Sequence, residues 1–342
     1  MSTHSAEPRM LNQIRHSADH DAILSVENLS IDIESKHGVL HVVRGVSFHV
    51  NAGDRIGVVG ESGCGKSTLA LAIMRLLAPG AAPVGGSIQF LGTDLLALSE
   101  MEMRRLRGNE IGMVFQDPAA SLNPMMTAGR QVGETIEAHK GVSRKISASA
   151  AVDMMRSVRI PEPAVRASQY PHQFSGGMRQ RVVIAMGTAN TPKLIIADEP
   201  TTALDVTVQA QVIELLEKMN TDTGSSIVFI SHNIALVSEF CSRVVVMYAG
   251  RIVEEGSTSD IFSRPYHPYT SALIKSVPPL DERLADGLVP IEGRPPNLAS
   301  KQVGCAFAAR CSSKIEKCTQ SSPPLVAMGP RKVACWATAA HS

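Results

Sequence analysis

The chain has 342 residues, of which 44% are apolar and 19% charged, and its formal net charge is +1. That length accommodates one large α/β domain with an appendage, or two medium domains, and the composition is that of an ordinary folded protein. Near-zero net charge gives no electrostatic reason to expect a nucleic-acid partner, and no run approaches the roughly 18 consecutive apolar residues of a membrane span, so membrane contact would have to go through another chain.

Residues 1–22 are polar, with scattered His and Arg and no apolar core, which reads as a disordered leader rather than a signal peptide. Residues 23–33, 39–50, 55–60 and 87–91 are β-branched runs separated by Gly, Asn and Asp, the pattern of strands in a mixed sheet. Helical periodicity follows over 66–77, then a short apolar strand over 111–116. Between 117 and 173 the strand signal vanishes: 127–139 and 143–158 read as helices and Pro161, Pro163 and Pro171 punctuate the rest, predicting an inserted helical subdomain. From Ser175 onward a helix, a strand over 193–197, a helix over 206–220 and strands over 226–231 and 243–248 alternate, which implies a parallel sheet covered by helices. One α/β domain is therefore expected over 23–262. Beyond it prolines multiply, from Pro265 to Pro296, and periodicity is lost, marking a small C-terminal extension over 263–342.

The run Gly60, Glu61, Ser62, Gly63, Cys64, Gly65, Lys66, Ser67 fits G-x-x-x-x-G-K-[ST] and sits between a predicted strand and a predicted helix, the context that this phosphate loop requires. Glycines let the backbone curl so that N–H groups converge on phosphate oxygens, and the helix start adds partial positive charge. ATP with Mg²⁺ is the expected ligand. Lys66 is expected on the β- and γ-phosphates, Ser67 on Mg²⁺ and Thr68 on the α-phosphate. The apolar strand 194–197 ends in Asp198 and Glu199, which delivers two carboxylates to the C-terminal edge of a sheet, where open α/β folds bind ligands. Asp198 is expected to hold Mg²⁺ through water and Glu199 to polarise the attacking water.

Upstream of these acids, Phe174-Ser175-Gly176-Gly177-Met178-Arg179-Gln180 resembles the L-S-G-G-Q signature loop of ATP-binding-cassette (ABC) ATPases, with departures at Phe174 and Met178. The Ser-Gly-Gly centre supplies a hydroxyl and bare backbone N–H groups at a helix start, which suits close approach to a γ-phosphate. Gln116 after a strand, Ala203-Leu204-Asp205 after the paired acids and His232 ending a strand stand in the order of the same family. The resemblance implies a P-loop NTPase cassette of the ABC type. It also implies that Gln116 senses the γ-phosphate, contributes to Mg²⁺ and contacts a transmembrane partner, that His232 stabilises the transferring phosphate, and that Asp205 communicates across a dimer. Two subunits, the same or similar, would then face each other head to tail, with ATP between residues 60–68 of one and Ser175, Gly176 and Gly177 of the other. The family's adenine-stacking aromatic is missing from 31–43, leaving His37 or His41 as the substitute.

Residues 116–124 resemble the corresponding segment of peptide and nickel importers. Tyr266-His267-Pro268-Tyr269-Thr270, then Pro295-Pro296-Asn297-Leu298, then residues 304–311, resemble the C-terminal extension of oligopeptide and dipeptide permease ATPases. The resemblance covers nearly everything after residue 22. It implies a peripheral subunit at the cytoplasmic face of the inner membrane that energises peptide import, with nickel or another small solute as the alternative cargo. Its partners would be two transmembrane permeases and an extracytoplasmic substrate-binding protein. It also makes Cys305, Cys311, Cys318 and Cys335 a candidate [4Fe-4S] site; the other reading is four free thiols packing a small tail. Cys241 reads as core. Non-transport ATPases of the superfamily, in DNA repair or translation, usually add long heptad arms or a second cassette, and this sequence carries neither. A small-molecule kinase would leave Ser175 to Met178 and His232 without a role.

Overall fold

The computed structural model describes residues 22–36, 38–202, 204–276, 290–300 and 302–339; the expected leader, apart from Ala22, and His37 lie outside them. The chain opens with an antiparallel hairpin of β1 (Ala22–Ser35) and β2 (Gly38–Asn51). A register shift between Val26 and Leu29 changes the phase of the pleat, so the buried face is carried by Leu24 and Val26 and then by Leu29 and Ile31. Next come β3 (Arg55–Val59) and α1 (Lys66–Ile73), followed by β4 (Ala81–Phe90) and β5 (Thr93–Asp94). Strands β2, β1, β4 and β5 make an antiparallel sheet in that order. The strand β4 reaches back to Ala81, ahead of the expected start at 87. Its first half holds Pro83, Gly85 and Gly86, poor strand formers that pairing with β1 keeps extended.

An unexpected helix, α2 (Glu100–Leu106), begins at a reciprocal cap in which Ser99 N–H donates to Glu102 Oε2 at 2.7 Å and Glu102 N–H to Ser99 Oγ at 3.3 Å. After β6 (Ile111–Val114) the chain turns helical through α3 (Pro118–Ser121), α4 (Ala128–Lys140), α5 (Arg144–Ser157) and α6 (Pro163–Arg166). Here α4 and α5 bury Val132 and Ile136 against Ala151 and Met155. Alternation resumes with α7 (Gly176–Thr188), β7 (Leu194–Asp198), α8 (Val206–Thr223), β8 (Ser226–Ser231), α9 (Ile234–Phe240), β9 (Arg243–Tyr248) and β10 (Arg251–Ser257). The chain continues into α10 (Thr258–Ser263), α11 (Pro268–Lys275), β11 (Val326–Met328) and β12 (Arg331–Val333). Among the described residues the main sheet has the order β11-β12-β10-β9-β3-β8-β7-β6. From β9 to β6 it is parallel, and β7 and β8 are buried along their whole length, as helices on both faces require.

The C-terminal extension shares the core of the domain that precedes it. Strand β12 pairs with β10, and the rings of Tyr248, Tyr269 and Phe307 meet at 4.6 to 5.4 Å. Glu254 on β10 is fully buried and accepts the backbone N–H groups of Tyr266 and His267 at 2.8 and 2.9 Å, which ties the start of the extension to the sheet. His267 caps α11 by accepting the Tyr269 N–H at 3.0 Å, and complete burial pushes its imidazole down to about 3. An unfolded chain takes up this proton below about pH 6.5, while the folded one resists until far lower pH. Stability is therefore lost as pH falls, by about 2 kcal/mol between pH 6.5 and 5. His267→Asn keeps a cap acceptor and removes the titration, so the drop in urea-unfolding free energy between pH 7.5 and 5 should shrink by that amount. An unchanged pH slope would remove His267 from the acid response.

Candidate active site

The site is assembled by strand register. Val59 at the end of β3 lies level with Ser231 of β8, Ile230 with Asp198 of β7, and Ala197 with Val114 of β6. Because these strands are parallel, the residues that follow them leave the same edge of the sheet, bringing the phosphate loop, His232, Glu199 and Gln116 to one place. Two glycines make the loop possible. Gly60 has φ 155° and a side chain there would meet the Met247 carbonyl at 2.2 Å; Gly65 has φ 104° and a side chain would meet the Val42 carbonyl at 2.6 Å.

Lys66 is 4% exposed and its ammonium donates to the carbonyls of Gly60 at 2.8 Å and Glu61 at 3.1 Å, with the Cys64 sulfur at 3.9 Å. A buried cation held by neutral acceptors is poorly compensated and favours an incoming anion. Ser67 Oγ donates to Asp198 Oδ1 at 3.0 Å. Burial pushes the Asp198 carboxyl upward, and neighbouring Glu199 adds to this, while the Ser67 hydrogen bond and Lys66 pull the other way. A hydroxyl and a carboxylate in contact, with the Gln116 amide nearby, are the hard oxygen donors that Mg²⁺ takes.

Glu199 stands in the left-handed backbone region with φ 45°, a conformation that costs energy for a residue with a side chain and recurs at functional turns. Its Oε2 accepts from Gln116 Nε2 at 2.9 Å and Thr202 Oγ1 at 3.0 Å, and His232 Nδ1 lies 3.1 Å away. A cavity of about 550 Å³ runs between these groups and Ser62, Gly63, Gly65, Lys66, Ser67 and Thr68.

Other expected residues lie outside the cavity lining. The Glu61 side chain turns away to make a two-pronged ion pair with Arg310 at 2.7 and 2.9 Å, and its N–H donates to the Tyr269 hydroxyl at 2.8 Å. Cys64 is buried and its thiol is pushed up by that burial. Ser175 caps α7 and Asp205 caps α8, each accepting an N–H of its own first turn, and both are exposed. The two helix starts touch, since a side chain on Gly177 would meet Val208 at 2.8 Å. His41 Nδ1 lies 2.8 Å from Asp32, directly opposite on β1, and His41 is not among the residues lining the cavity.

The tail cysteines neighbour one another. Cys305 N–H donates to the Cys318 carbonyl at 2.8 Å; burial, with the nearby Cys318, Cys311 and Cys335, pushes the Cys305 thiol up to about 11. Among the described residues no three His, Cys, Asp or Glu side chains converge on a metal-ion position. That observation concerns a single ion, and no step below passes through the four thiols. The sequence reading missed Thr202, Tyr269 and Arg310. The one available signal was an arginine set among small and aromatic residues in the motif segment 304–311.

Residues 43–202 match the family described as ABC transporter, and residues 253–318 match the oligopeptide/dipeptide transporter, C-terminal region. The chain is 48% identical over 318 residues to a protein named probable peptide ABC transporter ATP-binding protein y4tR, from Sinorhizobium fredii, covering 92% of this chain and 95% of that one. It is 47% identical, with the same coverage, to the dipeptide transport ATP-binding protein DppD of Bacillus subtilis. Among solved structures, the ATP-binding cassette MJ0796, seen as a dimer in a post-hydrolysis state with ADP and Pi, superposes with a TM-score of 0.63 at 28% identity, over 69% of this chain and 98% of that one. The chain belongs to the ABC transporter family, as an ATPase subunit of the oligopeptide/dipeptide type.

The Arg310–Glu61 pair joins the extension to the phosphate loop, with side chains 4% and 23% exposed. Removing one partner of such a pair strands the other, so Arg310→Met should lower the unfolding free energy by about 3 kcal/mol and raise the KM for ATP, with Glu61→Gln milder on both counts. An unaltered KM in Arg310→Met would show that the loop does not depend on the tail.

Proposed function

We propose that this ATPase energises the import of peptides through a membrane transporter. It works as one of a head-to-tail pair of ATPase subunits, on two transmembrane permeases, at the cytoplasmic face of the inner membrane. An extracytoplasmic binding protein would deliver the cargo. The observation that carries the ATPase half is the convergence of buried Lys66, Ser67 with Asp198, and Glu199 with Gln116 and His232 on one cavity. The transport half is supported by the relatives named as peptide and dipeptide transport ATP-binding proteins and by the match of the C-terminal region. Among the described residues no helix is long and apolar enough to cross a membrane, which suits a subunit that reaches the bilayer through partners.

In this reading Lys66 exchanges its carbonyl partners for the β- and γ-phosphates, and the backbone from Gly63 to Thr68 cradles them. Ser67, Asp198 and Gln116 would hold Mg²⁺, which when bound would offset the charge of the phosphates. Glu199 orients a water whose oxygen attacks the γ-phosphorus as the bond to the bridging oxygen breaks, giving ADP and phosphate; His232 donates to the phosphoryl oxygens. The exposed starts of α7 and α8, with Ser175, Gly176, Gly177 and Asp205, close on the nucleotide of the facing subunit. Closure moves the helices between β6 and α7 together and turns the permeases; hydrolysis releases them.

An iron–sulfur centre at Cys305, Cys311, Cys318 and Cys335 is the finer reading of the tail, supported by the proximity of the four residues. Iron and acid-labile sulfide in anaerobically purified protein would support that centre; four titratable thiols without iron would end that reading.

Glu199→Gln should bind ATP as the wild type does and lose at least about 100-fold in ATPase rate, the scale of a lost general base, whereas Lys66→Ala should lose binding itself. ATPase near wild type in Glu199→Gln would sink the role given to that carboxylate. A tagged chain purified from membranes should bring two permeases and a peptide-binding protein, identified by mass spectrometry. Ribosomal or DNA-bound companions would overturn transport while leaving the ATPase in place.

A further inference from the structure

The cavity beside the phosphate loop is lined by two chemically different groups. Gln116, Thr202 and His232 gather around Glu199, and the apolar side chains are Val42 of β2 and Leu298 of the C-terminal extension. The Val42 carbonyl abuts Gly65, so this apolar corner adjoins the loop. For a nucleotide whose terminal phosphate faces Glu199 and His232, Val42 and Leu298 are the apolar surface the cavity offers to the base.

Leu298 is fixed there by backbone bonds. Its carbonyl accepts the His41 N–H of β2 at 3.1 Å. The preceding Asn297 shapes a tight turn: its side chain accepts the Ala299 N–H at 2.9 Å, and its carbonyl accepts from Ser300 Oγ at 2.8 Å and Gln302 Nε2 at 3.2 Å. The side chain is partly buried and packs against both apolar cores, so it is held as well as exposed to the cavity. Residues 31–43 contain no Phe, Tyr or Trp, and His41 is engaged with Asp32; His37 lies outside the described residues.

We propose that Leu298 is the nucleobase-contacting residue of this ATPase: the C-terminal extension reaches back across β2 and, with Val42, forms an aliphatic ledge on which the base lies. This rests on the ATP-binding reading of the same site and adds a residue from outside the cassette to it. A ledge of hydrocarbon presents no hydrogen-bonding group, so it distinguishes a base from no base far better than adenine from guanine.

The test is calorimetric binding of ATP, GTP and inorganic tripolyphosphate, each with Mg²⁺, to the full chain and its variants. Leu298→Ala should weaken ATP and GTP alike, by roughly five- to tenfold, and leave tripolyphosphate unchanged, because the lost contact is apolar and lies only under the base. Leu298→Phe, which keeps an apolar face, should hold ATP affinity within about threefold of wild type. Equal weakening of tripolyphosphate in Leu298→Ala, no change for any ligand, or failure of Leu298→Phe to retain ATP would each overturn the ledge. Wild-type protein that binds neither ATP nor tripolyphosphate would instead bring down the ATP-binding reading.

Discussion

Lateral register among β3, β8, β7 and β6 is the constraint on which the site depends. These strands are apolar on both faces, so hydrophobic alternation, which normally locks register, is nearly absent from them. The lock lies at the opposite end from the chemistry. Ser226, fully buried at the start of β8, accepts the Gly53 N–H at 2.7 Å and donates to the Asn51 carbonyl at 2.9 Å, while Asn220 donates to the Gly53 and Ser225 carbonyls at 3.0 and 2.7 Å. These bonds hold β3 and β8 in phase before the ladder begins. A one-residue slip between β3 and β8 would strand them and would carry the phosphate loop away from His232.

Without ligand, the polar groups of the site satisfy each other: Lys66 with carbonyls, Ser67 with Asp198, Gln116 and Thr202 with Glu199. In the proposed reading, binding would exchange partners instead of creating them, with the net gain where a charged partner replaces a neutral one, at Lys66 above all. For Glu199 the proposed role would work differently: its left-handed backbone is set on folding, with the residue already lining the cavity, so the cost of that conformation would not fall at the moment of reaction.

What could be read from the residues follows from how locally each feature is encoded. The phosphate loop, the apolar strands and the acids at the end of β7 are contiguous in sequence and carry their context with them. The first half of β4 was not legible, because Pro83, Gly85 and Gly86 argue against a strand that only its neighbour β1 enforces. His41 shows the same limit: its contact with Asp32 depends on the register of the hairpin, which its position along the chain does not announce. Arg310 and Leu298 lie far in sequence from what they touch, and no periodicity announces such contacts. Clustering of the tail cysteines in sequence did translate into proximity in the fold, because all four lie on the short, compact extension.

The extension bears on the phosphate loop for a reason rooted in the loop's own composition. Gly60, Gly63 and Gly65 all have positive φ, and a segment so rich in glycine loses much conformational freedom when it is ordered. A buried ion pair is weak evidence for net stability, because desolvation cancels most of the attraction. What the Arg310–Glu61 pair does supply is position. Glu61 is gripped through its carboxylate by Arg310 and through its N–H by the buried Tyr269, both from the C-terminal extension. One non-glycine residue of the loop is thus fixed from outside, while its neighbours stay free of side chains for close approach of a phosphate. The same arrangement makes the extension part of the machine: Tyr269 and Arg310 cannot shift without moving the residue next to Gly60.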